Sequence, residues 1–169
     1  MQDGLVYLRP VEVAFLRTDA VGPDAARALW DDLKAVLNAH GAANAVDRAY
    51  GLAKGSPLMG STGAKATYIA AVTLVPGLPI APQSKLHTMT LPGGAYQRER
   101  LRGDVTDIGE SFEVLCDQFQ RHHDIKLDQD RPLVEIRLLS DSLDQDPRKI
   151  ELCVPVKPRV GRADAALLH

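Results

Sequence analysis

Two rhythms of hydrophobic and polar positions alternate along the chain, and each occurs in both halves. Val11–Thr18, VEVAFLRT, is rich in β-branched and aromatic residues and predicts a strand, closed by a turn at residues 19–23. From Pro23 the apolar residues Ala26, Leu29, Trp30, Leu33, Val36 and Leu37 recur at three- and four-residue steps. Pro23 suits a first helical turn and Gly41 a helix end, so residues 23–41 predict an amphipathic helix. A short strand at 47–53 and a longer one at 66–75 follow, separated by a Gly- and Ser-rich loop at 54–64.

Beyond a proline-rich turn at 76–82 the series begins again. Residues 86–91 predict a strand, Pro92-Gly93-Gly94 a tight turn, and residues 95–102 a strand. Residues 107–122 predict a second helix, with Ile108, Phe112, Leu115, Cys116 and Phe119 on one face and Asp107 as its cap. A strand at 131–139 and a last one at 149–156 flank a polar turn at 140–148.

The strand RPLVEIRLL carries the residue that most needs explaining. Alternation places Val134, Ile136 and Leu138 on one face and Leu133, Glu135 and Arg137 on the other. A carboxylate among leucines and isoleucine either pairs with the cation two residues along its own face, Arg137, or stays unpaired to receive a cation from outside. On this stretch alone the pairing is the simpler reading; the rest of the chain shifts the balance toward the unpaired carboxylate.

Both runs share the order strand, helix, strand, strand. A uniform offset that takes Arg17 to Arg102 also takes Leu29 to Val114, Tyr50 to Glu135 and Tyr68 to Cys153. The expected fold class is α+β: duplicated β-α-β-β halves forming a pseudo-two-fold antiparallel sheet with two helices and a central groove. Residues 1–158 form the expected domain, with pseudo-repeats at about 8–80 and 86–157, and residues 159–169 a tail. In this register Tyr50 and Glu135 share the groove, an aromatic beside an acid, as a flat organic cation would require.

Composition narrows the function. With 169 residues the chain can bury a core without disulfides or metal, and a net charge of -2 supplies no basic field for nucleic acid. Cys116 and Cys153 are too few and too far apart for a disulfide framework or zinc site, and read as free thiols. No signal-like or membrane-length apolar run is present, so a soluble cytoplasmic protein is expected. His122 and His123, adjacent near a helix end, are poor metal ligands, and neither a nucleotide-binding loop nor a serine-hydrolase elbow occurs. No metal or cofactor is expected.

Several segments in order resemble a known family: VEVAFLRTDAVGPDAARALWDDL, AYGLA, LPGGAYQRERLRGDVTDIGESFEVL, RPLVEIRLL and IELCVPV. Together they resemble the GyrI-like small-molecule-binding domain, also the effector-binding half of AraC- and MerR-type multidrug regulators. The resemblance implies a hydrophobic ligand groove between two pseudo-symmetric halves, with a glutamate on the penultimate strand, here Glu135. It implies aromatic lining from the first helix and the Tyr-Gly strand, here Trp30 and Tyr50. Tyr96, Tyr68 and Phe112 complete the aromatic candidates, although Tyr68 and Phe112 also fit a core role and Tyr96 a turn anchor. Glu99 lies among Arg98, Arg100 and Arg102, where a surface ion pair is the simplest reading; turned inward, it would make the groove doubly acidic.

The leading expectation is a stand-alone binding protein that senses or sequesters hydrophobic, often cationic small molecules. A carboxylate among aromatics serves catalysis equally well, so a hydrolase of cyclopropanoid-type electrophiles, with Glu135 as general acid or base and Tyr50 holding the electrophile, stays open. A third reading, a DNA gyrase partner, draws on the family resemblance alone. A separate DNA-binding regulator is a further partner in the first reading. The sequence leaves the oligomeric state open.

Overall fold

Alternating and helical periodicities become the expected elements wherever the computed structural model describes the chain, namely residues 4–20, 22–42, 46, 48–55, 66–73, 85–101, 108–139, 143, 147 and 149–159. In chain order these are β1 (Gly4–Leu8), β2 (Val11–Thr18), α1 (Pro23–Ala39), β3 (Arg48–Lys54), β4 (Thr67–Thr73), β5 (His87–Leu91), β6 (Gly94–Arg100), α2 (Ile108–Gln120), β7 (Ile125–Leu127), β8 (Leu133–Leu138) and β9 (Lys149–Pro158). The Asp107 cap, the Arg102-Gly103-Asp104 turn, the loop at 56–64, the proline-rich turn and the last ten residues lie outside the described residues.

Two strands went unpredicted. β7 is only three residues long. β1, GLVYL, turns Val6 inward, yet its other face carries Leu5 and Tyr7, 63% and 76% exposed, so it lacks the apolar–polar alternation that marks a half-buried strand.

The sheet is α+β in class and antiparallel throughout, in the order β1-β6-β9-β8-β3-β4-β2-β5, with β7 alongside β9. Its centre is β8–β3, and on each side follow, in turn, the last strand of one half, the second strand, and a first strand borrowed from the other half. The tight turn expected at Pro92-Gly93-Gly94 does not join two paired strands: β5 pairs with β2, and β6 with β1 and β9. The connections β1–β2 and β5–β6 cross. At the crossing a Cβ on Gly93 would sit 2.5 Å from the carbonyl oxygen of Leu8 and 2.8 Å from Cδ of Pro10, so close backbone approach demands a glycine.

Both helices pack on one face. The buried stripe of α1, Leu29, Trp30, Leu33 and Leu37, meets Ala14, Leu16, Ala70 and Val72 of β2 and β4. That of α2, Phe112, Leu115, Cys116 and Phe119, meets Leu133 of β8 and the row Ile150, Leu152, Val154 and Val156 of β9. On the opposite face a third cluster joins Val6 and Leu8, at one end of the strand order, to Val13 and Leu91, at the other, through Tyr50, Leu52, Val134 and Ile136. Residues from both ends meet because the sheet is curled, and the curl buries a face that neither described helix covers.

Two arginines tie the periphery. Arg131 donates through Nη2 to the carbonyls of Ala95 and Val156, both at 2.9 Å, and through Nε to Asp128 at 2.8 Å. Arg159, at the expected start of the tail, is instead bound in: its backbone N–H donates to the Asp124 carbonyl, and its guanidinium reaches the last carbonyls of α2, Phe119 and Gln120. No helix among the described residues is long and apolar enough to cross a membrane.

Candidate functional site

Because α1 lies over β2 and β4 and α2 over β7 and β9, the central strands β3 and β8 run between the helices. The floor there is bare on the β3 side. Ala49, Gly51 and Ala53 are the β3 residues that share the helix-facing side with Glu135, and none has a side chain larger than methyl. Directly opposed residues form a row across the sheet: Leu16, Ala70, Gly51, Glu135, Leu152 and Glu99. Glu135 fills the room over Gly51, where a Cβ would collide with the Glu135 carboxylate and its Cγ.

Glu135 is 3% exposed and fully engaged. Its Oε2 accepts from Arg137 twice, from Nε at 3.0 Å and Nη2 at 2.9 Å. Its Oε1 accepts a hydrogen bond from the Tyr68 hydroxyl, which in turn accepts from Nε1 of Trp30 at 2.9 Å. The Arg137 guanidinium lies over the Trp30 ring, 4.3 Å from its centroid. Four side chains thus close a loop: indole N–H to phenol, phenol to carboxylate, carboxylate to guanidinium, guanidinium to indole face. Each polar group is satisfied within the set, as burial requires. Burial, reinforced by the neighbouring Glu135 charge, raises the Tyr68 pKa well above the usual phenol value, so its hydroxyl stays a donor.

An unpaired carboxylate is therefore not what the structure holds. The expectation that Glu135 waits for a cation from outside is corrected: Arg137, two residues along the same face, pairs with it. A buried anion and an aromatic face thus hold a planar cation, the Arg137 guanidinium, between them.

The predicted site residues divide between the two faces. Trp30, Tyr68 and Glu135 come together. Phe112 lies in the α2 layer with Leu133 and Leu152, the neighbours of Glu135 along its strand and across from it. Glu99 is on the same face, separated from Glu135 by Leu152, and is partly exposed. Tyr50 opposes Ile136 and belongs to the cluster inside the curl, as does Tyr96. The uniform offset between the halves was one residue out here, and in a strand one residue reverses the face. Across the centre of the sheet, Gly51 answers Glu135, Ala70 answers Leu152 and Leu16 answers Glu99, so no single offset serves all strands. Tyr68 and Cys153 likewise lie on opposite faces. Placing Tyr50 beside Glu135 as a catalytic pair fails for the same reason. Tyr96 instead lies under Arg131, whose guanidinium carbon is 4.7 Å from the ring centroid.

Gly51 escaped the sequence reading as a site residue. Its only signal was a glycine inside an otherwise apolar strand, which marks a close approach.

The fold has solved counterparts. SAV2435 bound to tetraphenylphosphonium matches with a TM-score of 0.62 at 19% identity, over 93% of this chain and 94% of that one. A Staphylococcus aureus MU50 protein described as a provisional bacterial transcription regulation protein matches at 0.59 and 15%, over 93% and 99%. An integron cassette protein from the mobile metagenome of Vibrio cholerae matches at 0.55 and 14%, over 90% and 94%. No protein-family model and no curated protein sequence matches the chain. At these identities the likeness establishes the fold.

Proposed function

We propose that the protein binds hydrophobic organic cations between its two helices, with Glu135 as the counter-charge and Trp30 and Tyr68 as aromatic contacts. The observation that carries this reading is the closed set around Glu135, in which a buried carboxylate and an indole face already hold a delocalised cation. The fold match to a protein solved with tetraphenylphosphonium supports the same ligand class. The flanking layers are apolar, so most of the affinity would come from non-directional burial and the site would take many shapes. Sensing or sequestration of such compounds is the role that follows.

Glu135→Gln tests it. Titration with tetraphenylphosphonium and with a neutral arene of similar size, followed by Trp30 fluorescence, should show much weaker binding of the cation and little change for the neutral compound. Equal losses for both would make the carboxylate a purely structural group.

A further inference from the structure

Arg137 does more than neutralise Glu135. Its guanidinium takes the place that a ligand's charge would take: 2.9 Å from the carboxylate on one side and 4.3 Å from the indole centroid on the other. It is also the less buried member of the pair, its side chain 17% exposed against 4% for that of Glu135. Its cross-strand neighbours are Ala49 on β3, with no more than a methyl group, and Ile150 on β9. The glutamate, by contrast, is seated over Gly51 and held from behind by Tyr68.

We propose that Arg137 is a built-in competitor: it occupies the cation position in the free protein and swings outward when a ligand enters, so binding is an exchange of one cation for another. This rests on the reading of the site given above and adds what sets its threshold. An intramolecular competitor is present at high effective concentration, and the apparent affinity of any ligand falls by the fraction of time that the site stands open. Guanidinium is planar, delocalised and weakly hydrated, which makes it a better occupant of an anion–indole site than a compact ammonium. A successful ligand must share the weak hydration and add apolar area: arylphosphonium, amidinium and cationic dye-like compounds qualify, small hydrated ammonium ions do not.

The test compares wild type with Arg137→Met, which keeps the stem and removes the charge, and Arg137→Lys, which keeps the charge and loses the planar fork. At pH 8, tetraphenylphosphonium should bind Arg137→Met about tenfold or more tightly than wild type, the factor for a site occupied nine-tenths of the time by its own side chain. Arg137→Lys should fall between. In Arg137→Ala, millimolar methylguanidinium should raise the melting temperature, with no such rise in wild type, by refilling the vacated place. Wild-type binding that is unchanged or weaker in both Met and Lys variants, or an absence of rescue, overturns the role of Arg137. If no chain, wild type included, binds tetraphenylphosphonium, the binding reading itself fails.

Discussion

Gly51 and Glu135 oppose each other across the two central strands, and the side chain that one lacks is the space in which the other's carboxylate lies. Gly51→Ala should therefore cost about 1–3 kcal/mol in chemical denaturation, the usual range for overpacking. The same substitution in a Glu135→Ala background should cost much less, because the obstructing atoms are gone. Equal costs in the two backgrounds would show that the clash is relieved elsewhere.

Tyr68 links Trp30 to Glu135, accepting from one and donating to the other. Tyr68→Phe strands a buried indole N–H and a carboxylate oxygen, and should destabilise by about 1–3 kcal/mol. Burial first, and then the Glu135 charge, raises the phenol's pKa in the folded state, so stability from this group is whole below the unfolded value near 10 and declines as pH rises above it. The Phe variant should show a shallower loss of stability above pH 10 than wild type; parallel curves would contradict this.

Arg131 and Asp128 should govern part of the acid limb. Burial alone would raise the Asp128 pKa, but the hydrogen bonds from Arg131 and the Asp130 backbone N–H, with the Arg131 charge, outweigh it and hold the carboxyl below its usual value. A depressed folded pKa gives stability that is present above the unfolded value near 3.9 and is lost as pH falls through the folded one. Asp128→Asn should flatten urea midpoints between pH 4 and pH 2. Arg131→Ala, which frees two strand carbonyls as well, should cost about 3 kcal/mol, and lysine, with no planar fork, should restore little.

Both thiols are buried and held protonated. Burial pushes Cys153 up to about 12, with Glu151 adding to it, and Cys116 up to about 11. Neither should react with iodoacetamide at pH 8 in the native protein, and both should react once it unfolds; native-state labelling within minutes would mean that the β9 or α2 layer opens readily.

Periodicity made most of the elements legible. α1 begins at Pro23 as its apolar steps require, and β2 keeps its predicted bounds, because each buries one stripe or one face. Pairing was less legible. Nothing local in Pro92-Gly93-Gly94 distinguishes a hairpin tip from a crossing, since the deciding contacts come from Leu8 and Pro10, far away in sequence. The candidate site was legible only in the alternation that puts Arg137 on the face of Glu135; the expectation of a carboxylate without an internal partner failed. It was misread at Tyr50, because an offset fixed at Arg17 and Arg102 is one residue out at β3 and β8, and one residue reverses the face of a strand. Tyr68 needed the fold: its strand position fits core and site alike, and only its hydrogen bonds separate them.

The crossing at Gly93 also governs how the sheet must be assembled. Neither half can complete its own run of strands, because each lends its opening strand to the other's edge. Joining Leu8 to Gly94 means closing nearly the whole intervening chain into a loop, an entropic cost that local turns do not carry and that belongs among the late events of folding. Cut between β4 and β5, the polypeptide would yield two pieces, each ending its sheet one strand short until it met the other.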